Sequence, residues 1–211
     1  MQQTGDEEMS SEITTKQIDE QLKTNANVDR RIRKTRSALK SSLNVLLQKK
    51  NIKDISVKEL TDLADVNRGT FYLHYKDVFD LLEQSELELL NELHHAIDEL
   101  DVNDVKKDPS LLFEHVYTVC SENADFIRIL LGRNGDMKFL NSLNTFVKEK
   151  CLHEWRPLIR LINIDNFDAF FSFLIGGCCS LLQYWFSTGM KQSPRELADI
   201  TAEILNRTIS D

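Results

Sequence analysis

The sequence predicts an all-α fold, and three observations carry that prediction. Gly and Pro are scarce, at seven and three in 211 residues. Folds built on many tight turns lean on those residues, because such turns need a positive or a fixed φ. Apolar residues recur at helical spacing along most of the chain past residue 28, and no stretch alternates as a half-buried strand does. Helix-start signals sit between these stretches, the clearest being Ser56-Val57-Lys58-Glu59 and Ser193-Pro194-Arg195-Glu196. About nine helices are expected.

Residues 1–28 lack aromatic residues and read as a polar tail. A first helix is expected over 29–50, with Ile32, Leu39, Leu43, Leu46 and Leu47 inward and Arg30, Arg31, Arg33, Lys34, Arg36 and Lys40 crowding its beginning. Ser56 and Glu59 then form a capping box that opens a short helix, with Leu60 and Leu63 as its inner face. The run Ala64-Asp65-Val66-Asn67 breaks it, and Asn67 is placed to cap another short helix over 68–75, with Phe71 and Leu73 inward. A long helix follows over 77–100, presenting Phe79, Leu82, Leu89, Leu93 and Ile97 to the core. A loop over 102–109 leads to helical periodicity over 111–120, 126–131 and 139–155. A very apolar helix spans 165–188, and Ser193 and Pro194 open the last one. These elements divide the chain into the tail 1–28, a three-helix head 29–76 and a helical body 77–211.

Charge follows the same division. The formal net charge is −8, yet residues 28–80 hold twelve Lys/Arg against seven Asp/Glu, a net +5, leaving −13 elsewhere. A basic head on an acidic body attracts polyanions at one end and repels them at the other. The four cysteines include no C-x-x-C pair and lie in apolar stretches, so reduced, buried thiols and a cytoplasmic setting are expected. The polar, acidic opening residues do not read as a secretory signal. Residues 169–186 approach the length of a membrane span. Ser172, Ser180 and Gln183 interrupt them, which favours a helix buried in a protein assembly, with no membrane partner.

Two short helices joined by a tight break, behind a longer basic one, match a helix-turn-helix. The second must be slim at its start to enter a major groove, with phosphate-reaching groups beside it. Asn67, Arg68, Gly69 and Thr70 supply that start; Tyr72, His74, Tyr75 and Lys76 supply hydroxyl, imidazole and ammonium groups, while Arg33, Ser56 and Val57 flank them. The run from Val57 to Asp77 resembles the DNA-binding signature of the tetracycline-repressor (TetR) family. Its most telling part is Gly69-Thr70-Phe71-Tyr72 followed by His74-Tyr75-Lys76-Asp77, and the resemblance spans residues 31–82. Members commonly carry Gly where this chain has Asp65; Asp tolerates left-handed backbone better than most residues, so the turn is expected to survive. The resemblance implies a homodimer on a double-stranded DNA operator, with a body that binds an effector and dimerises through its last two helices.

The residues of the apolar helix agree with that implication. One face carries large residues, Phe171, Leu174, Cys178, Leu181 and Trp185 among them. Phe173, Gly176, Gly177 and Ser180, joined by Leu197, Ile200 and Ile204 of the last helix, form a second face for a symmetry mate. Phe113, Tyr117, Phe139, Phe146 and Trp155 are candidates to line an effector pocket, against the alternative that they fill core. Adjacent His94 and His95 point about 100° apart on a helix, so no metal site is expected. Ser37-Ala38-Leu39-Lys40 lacks every companion of an acyl-enzyme motif. No nucleophile with a base, metal set or phosphate loop is visible, so neither catalysis nor a cofactor is expected. The reading is a dimeric, effector-released repressor; the alternatives are an activator or co-regulator working through a protein partner, and a helical ligand carrier or enzyme.

Overall fold

A computed structural model describes residues 29–132, 137–153 and 167–209 of the chain. Among the described residues there are ten α-helices, one 3-10 turn and no strand. The chain divides into two compact units, one up to Leu81 and one from Leu82 onward.

In the first unit, helix α1 spans residues 29–47. It buries Leu39, Leu43, Leu46 and Leu47, the i, i+4, i+7, i+8 stripe expected of an amphipathic helix. Ile32 stays exposed near its beginning. A 3-10 turn at Ile52–Asp54 is started by Asn51, whose side chain accepts from the Lys53 amide. Helix α2 (Val57–Ala64) is capped by Ser56, whose Oγ accepts from the Glu59 amide at 3.2 Å. The Glu59 carboxylate pairs with Lys50, tying the helix back to the end of α1. Helix α3 (Arg68–Tyr72) buries Phe71. The beginning of α4 (Val78–Asp98) buries Val78 and Leu81.

Three inward assignments are corrected here. Leu63, Leu73 and Phe79 are 50%, 79% and 55% exposed, and Thr61 takes the place expected of Leu63. Thr61 is buried because its hydroxyl donates to the Val57 carbonyl at 2.8 Å, which leaves the methyl as the core-facing part.

The second unit holds the rest of α4, then α5 (Val102–Lys107), α6 (Ser110–Glu122), α7 (Ala124–Leu130), α8 (Met137–His153), α9 (Phe167–Ser187) and α10 (Pro194–Ile209). Its core joins Leu89 and Leu93 of α4, Tyr117 and Cys120 of α6, Phe126, Ile127 and Leu130 of α7, Phe139 of α8, Leu182, Trp185 and Phe186 of α9, and Leu197 and Ala198 of α10. Two polar bonds fix this packing: Tyr117 Oη meets Thr201 Oγ1 at 2.9 Å, and Trp185 Nε1 donates to the Gln192 carbonyl at 2.9 Å.

Helix α5 replaces an expected loop. Asp101 caps it by accepting from the Asn103 amide at 2.7 Å, and Lys106 and Lys107 close its last turn, where cations are favoured. The box at Ser193 forms as the sequence predicts: Glu196 Oε2 accepts from the Ser193 amide at 2.7 Å, and Ser193 Oγ accepts from the Glu196 amide at 3.2 Å. Beside it, Arg195 binds Asp108 at 2.8 Å, Glu114 at 3.1 Å and Asp199 at 3.1 Å, joining α10 to the start of α6.

By length and composition, residues 168–187 of α9 are apolar enough to cross a membrane, and 22% of that stretch is buried within the chain. Phe171, Leu182, Trp185 and Phe186 face the core, whereas Phe173, Gly176, Gly177, Ser180 and Tyr184 are exposed. The helix is therefore two-faced, with one face packed and the other open on the single chain.

Candidate nucleic-acid interface

The geometry of the turn between α2 and α3 comes from Asp65. This residue adopts φ 52° and ψ 45°, the left-handed conformation that ends a helix and reverses the chain. The Val66 amide then donates to the Thr61 carbonyl at 3.0 Å, so the helix end keeps its backbone bonds. Two residues on, Asn67 returns to extended backbone and its Oδ1 accepts from the Gly69 amide at 2.7 Å. A Cβ at Gly69 would lie 3.1 Å from that Oδ1, so glycine keeps the cap short and the start of α3 slim.

The outward side of the turn carries what the sequence places there. Arg33, Ser56, Asn67, Arg68, Gly69, Tyr72 and Lys76 are exposed, and Val57, Thr70 and His74 are half-buried. Tyr72 is 58% exposed and meets Phe71 edge-on, with ring centroids 5.4 Å apart, so its hydroxyl end projects from an anchored ring. The Lys76 amide donates to Asp80 at 2.8 Å, and the Asp80 amide donates to Asp77 at 2.9 Å, fixing the chain as it leaves the head.

Tyr75 differs from its expected place. It is 3% exposed, packs 5.6 Å from Phe71, and its hydroxyl accepts from Arg36 Nε at 3.1 Å. The assignment as an outward phosphate contact is corrected to that of a support, with Arg36 lying 5.9 Å from the ring centroid as a cation over a π face. Neither the Arg36–Tyr75 bond nor the exposure of Leu73 is legible in the sequence. Sequence shows Arg36 only as one of several basic residues, and Leu73 shares the helical spacing of core positions.

In the body, a cavity of about 140 Å³ opens among α4, α6, α8 and α9. Phe113 and Tyr117 line it. Phe139 instead fills core at 4% exposure, and Phe146 packs behind the cavity wall with Ile97 and Phe171, 5.1 Å from the His94 ring. Trp155 lies outside the described residues. Burial pushes the Cys120 thiol up to about 12 and the Cys178 thiol up to about 11; it also raises Cys179 and holds the Tyr117 phenol far above its ordinary range. Every titratable group on the wall is neutral at pH 7.

Of the residues expected to face a second copy, Phe173, Gly176, Gly177, Ser180, Ile200 and Ile204 are exposed. Leu197 is 2% exposed and belongs to the chain's own core, which corrects its place in that set.

The family described as transcriptional regulator C-terminal region, TetR_C_8, matches residues 107–207. A Bacillus subtilis (strain 168) relative, the uncharacterized HTH-type transcriptional regulator YxbF, is 24% identical over 181 residues, covering 80% of this chain. This chain resembles TetR-type transcriptional regulators through residues 107–207. It spans 44% of the length of that curated relative.

Solved structures similar to this chain give the same fold. A TetR transcriptional regulator from Streptococcus agalactiae 2603V matches with a TM-score of 0.55 at 24% identity, over 83% of this chain and 96% of that one. A fatty acid metabolism regulator of Clostridium perfringens matches at 0.62 and 20% identity, over 80% and 96%. The dihydroxyacetone kinase operon activator DhaS matches at 0.53 and 16% identity, over 83% and 96%. The relatives are named as transcriptional regulators.

Proposed function

We propose that this chain is a TetR-family transcriptional regulator, a homodimeric repressor acting in the cytoplasm. It reads a palindromic double-stranded operator through α3 and leaves it when an effector enters the body. The observation that supports this best is the outward set Asn67, Arg68, Thr70, Tyr72 and Lys76 on a helix start kept slim by Gly69. A side chain at Thr70 offers a hydroxyl and a methyl to base edges, whereas Arg33, Tyr72 and Lys76 reach phosphates and set position. The acidic body keeps the polyanion on the head. In a dimer, half-sites about 34 to 36 Å apart, or a multiple of that turn, are read together. An effector coupling of about 1 to 3 kcal/mol changes DNA affinity about 5- to 150-fold.

The deciding experiment titrates the purified full chain into its own upstream DNA, followed by fluorescence anisotropy at increasing salt. Specific binding is expected, weakening by about 10³ to 10⁵ between about 50 and 200 mM salt if six to ten phosphates are contacted. Equal affinity for upstream and random DNA, from a folded dimer, counts against the repressor. A second reading has one supporting observation, the open face of α9. There the chain works as an activator or co-regulator, as the DhaS neighbour is named, and binds a protein partner through that face.

A further inference from the structure

The body cavity has three thiols and a phenol on its wall and no charged side chain. Tyr117, Cys120, Cys178 and Cys179 line it together with Val116 and Leu143. Thr201 Oγ1 donates to the Leu197 carbonyl at 2.8 Å, so the Tyr117 hydroxyl spends its hydrogen on Thr201 at 2.9 Å. The phenol hydrogen is therefore held on Thr201 of α10 and not turned into the cavity. A carboxylate entering the space would give up its water and meet only thiols, which are weak donors, at a cost of several kcal/mol for a charged group. An apolar molecule gives up nothing. The volume is close to the roughly 150 Å³ of a dry aliphatic cavity that holds benzene.

We propose that this cavity is a receptor for a small uncharged hydrocarbon group, a single ring or a short alkyl chain of about six carbons, and that it rejects anionic ligands of the same size. Such a guest touches α4, α6, α8 and α9 at once. As a statement about the effector, this rests on the regulatory reading above; as a statement about binding, it stands by itself.

The test uses the full chain with benzene and benzoate, read by the thermal unfolding midpoint. Benzene at ten times its Kd is expected to raise the midpoint by roughly 3 °C or more, since a ligand that binds only the folded state stabilises it. Benzoate at the same concentration leaves it unchanged. Two variants fill the space from different helices, Val116→Phe on α6 and Leu143→Phe on α8, and in either one that folds the benzene shift disappears. No shift with benzene, an equal shift with benzoate, or a shift retained in a filled variant would overturn the inference. Operator affinity is measured with and without benzene in parallel. Benzene that binds and leaves DNA affinity unchanged upholds the receptor and removes only its role as the effector site.

Discussion

Two side chains 39 positions apart in sequence decide how the head holds its charge. The buried Tyr75 hydroxyl receives a hydrogen bond from Arg36, and the guanidinium lies over the same ring. Tyr75→Phe keeps the packing against Phe71 and deletes one charge-assisted bond, so stability is expected to fall by about 1 to 2 kcal/mol while the salt dependence of DNA binding stays the same. Lys76→Ala reverses that pattern. Its side chain is exposed, so unfolding is expected to change by less than about 0.5 kcal/mol, while the slope of log affinity against log salt flattens by about 0.9. Measuring both quantities for both variants separates a supporting residue from a contacting one; identical profiles would show the division to be wrong. The turn at Asp65 was legible in sequence, because few residues other than Gly and Asn take left-handed dihedrals and Asn67 follows as a cap. Since Asp still strains there, Asp65→Gly is expected to raise the head's unfolding midpoint, by up to about 1 kcal/mol in stability, and a β-branched Asp65→Val to lower it. Leu63, Leu73 and Phe79 were not legible. An element of five to eight residues, such as α2 or α3, makes barely two turns, so its spacing does not fix which side is buried, and Phe79 stands in the first turn of α4, where Val78 and Leu81 take the buried places.

At the scale of elements, what could be read depended on how a helix announces its beginning. The last helix was plain in sequence because Ser193, Pro194 and Glu196 each satisfy a separate requirement of a helix start. Helix α5 was missed because it offers only Val102 and Val105 to the core, too few for a period, and its cap at Asp101 stands in a run of polar residues. The same box gives α10 a dependence on pH. Bonds from the Ser193 amide, then from its hydroxyl, hold the Glu196 carboxyl below its ordinary value of 4.5. A carboxyl lowered by folding stabilises the folded state above its unfolded pKa, and that contribution disappears as pH falls through the lower, folded value. Ser193→Ala removes the hydroxyl, at a cost of about 1 kcal/mol for a lost cap at neutral pH. In thermal unfolding, the gap between this variant and the parent is expected to narrow once pH drops below about 4.5. A gap of constant size down to pH 3 would mean that Glu196 carries none of it.

For the whole molecule, the decisive feature is the open side of α9 and α10. Phe173 is 68% exposed, Tyr184 58%, Ile204 54% and Ile200 40%, and a Cβ at Gly176 or Gly177 would meet no atom within 4 Å. So much apolar surface on neighbouring helices is costly to leave in water, and the two glycines let another backbone come close. A second copy of the chain satisfies both conditions by symmetry, since the same face meets itself. If that is its occupant, stability is linked to concentration, because association draws on the folded state alone. The wild-type unfolding midpoint is then expected to rise with protein concentration. Ile204→Glu places two like charges near each other across the two-fold axis, at a side chain that is 54% exposed on its own chain. Its midpoint is expected to become independent of concentration, with sedimentation showing a single chain. On DNA, the variant should lose affinity for a full palindrome and keep the parent's weak affinity for one isolated half-site, because each head is intact and only their pairing is gone. A variant that still sediments as a dimer, or a wild type whose midpoint ignores concentration, would assign this face to a different partner.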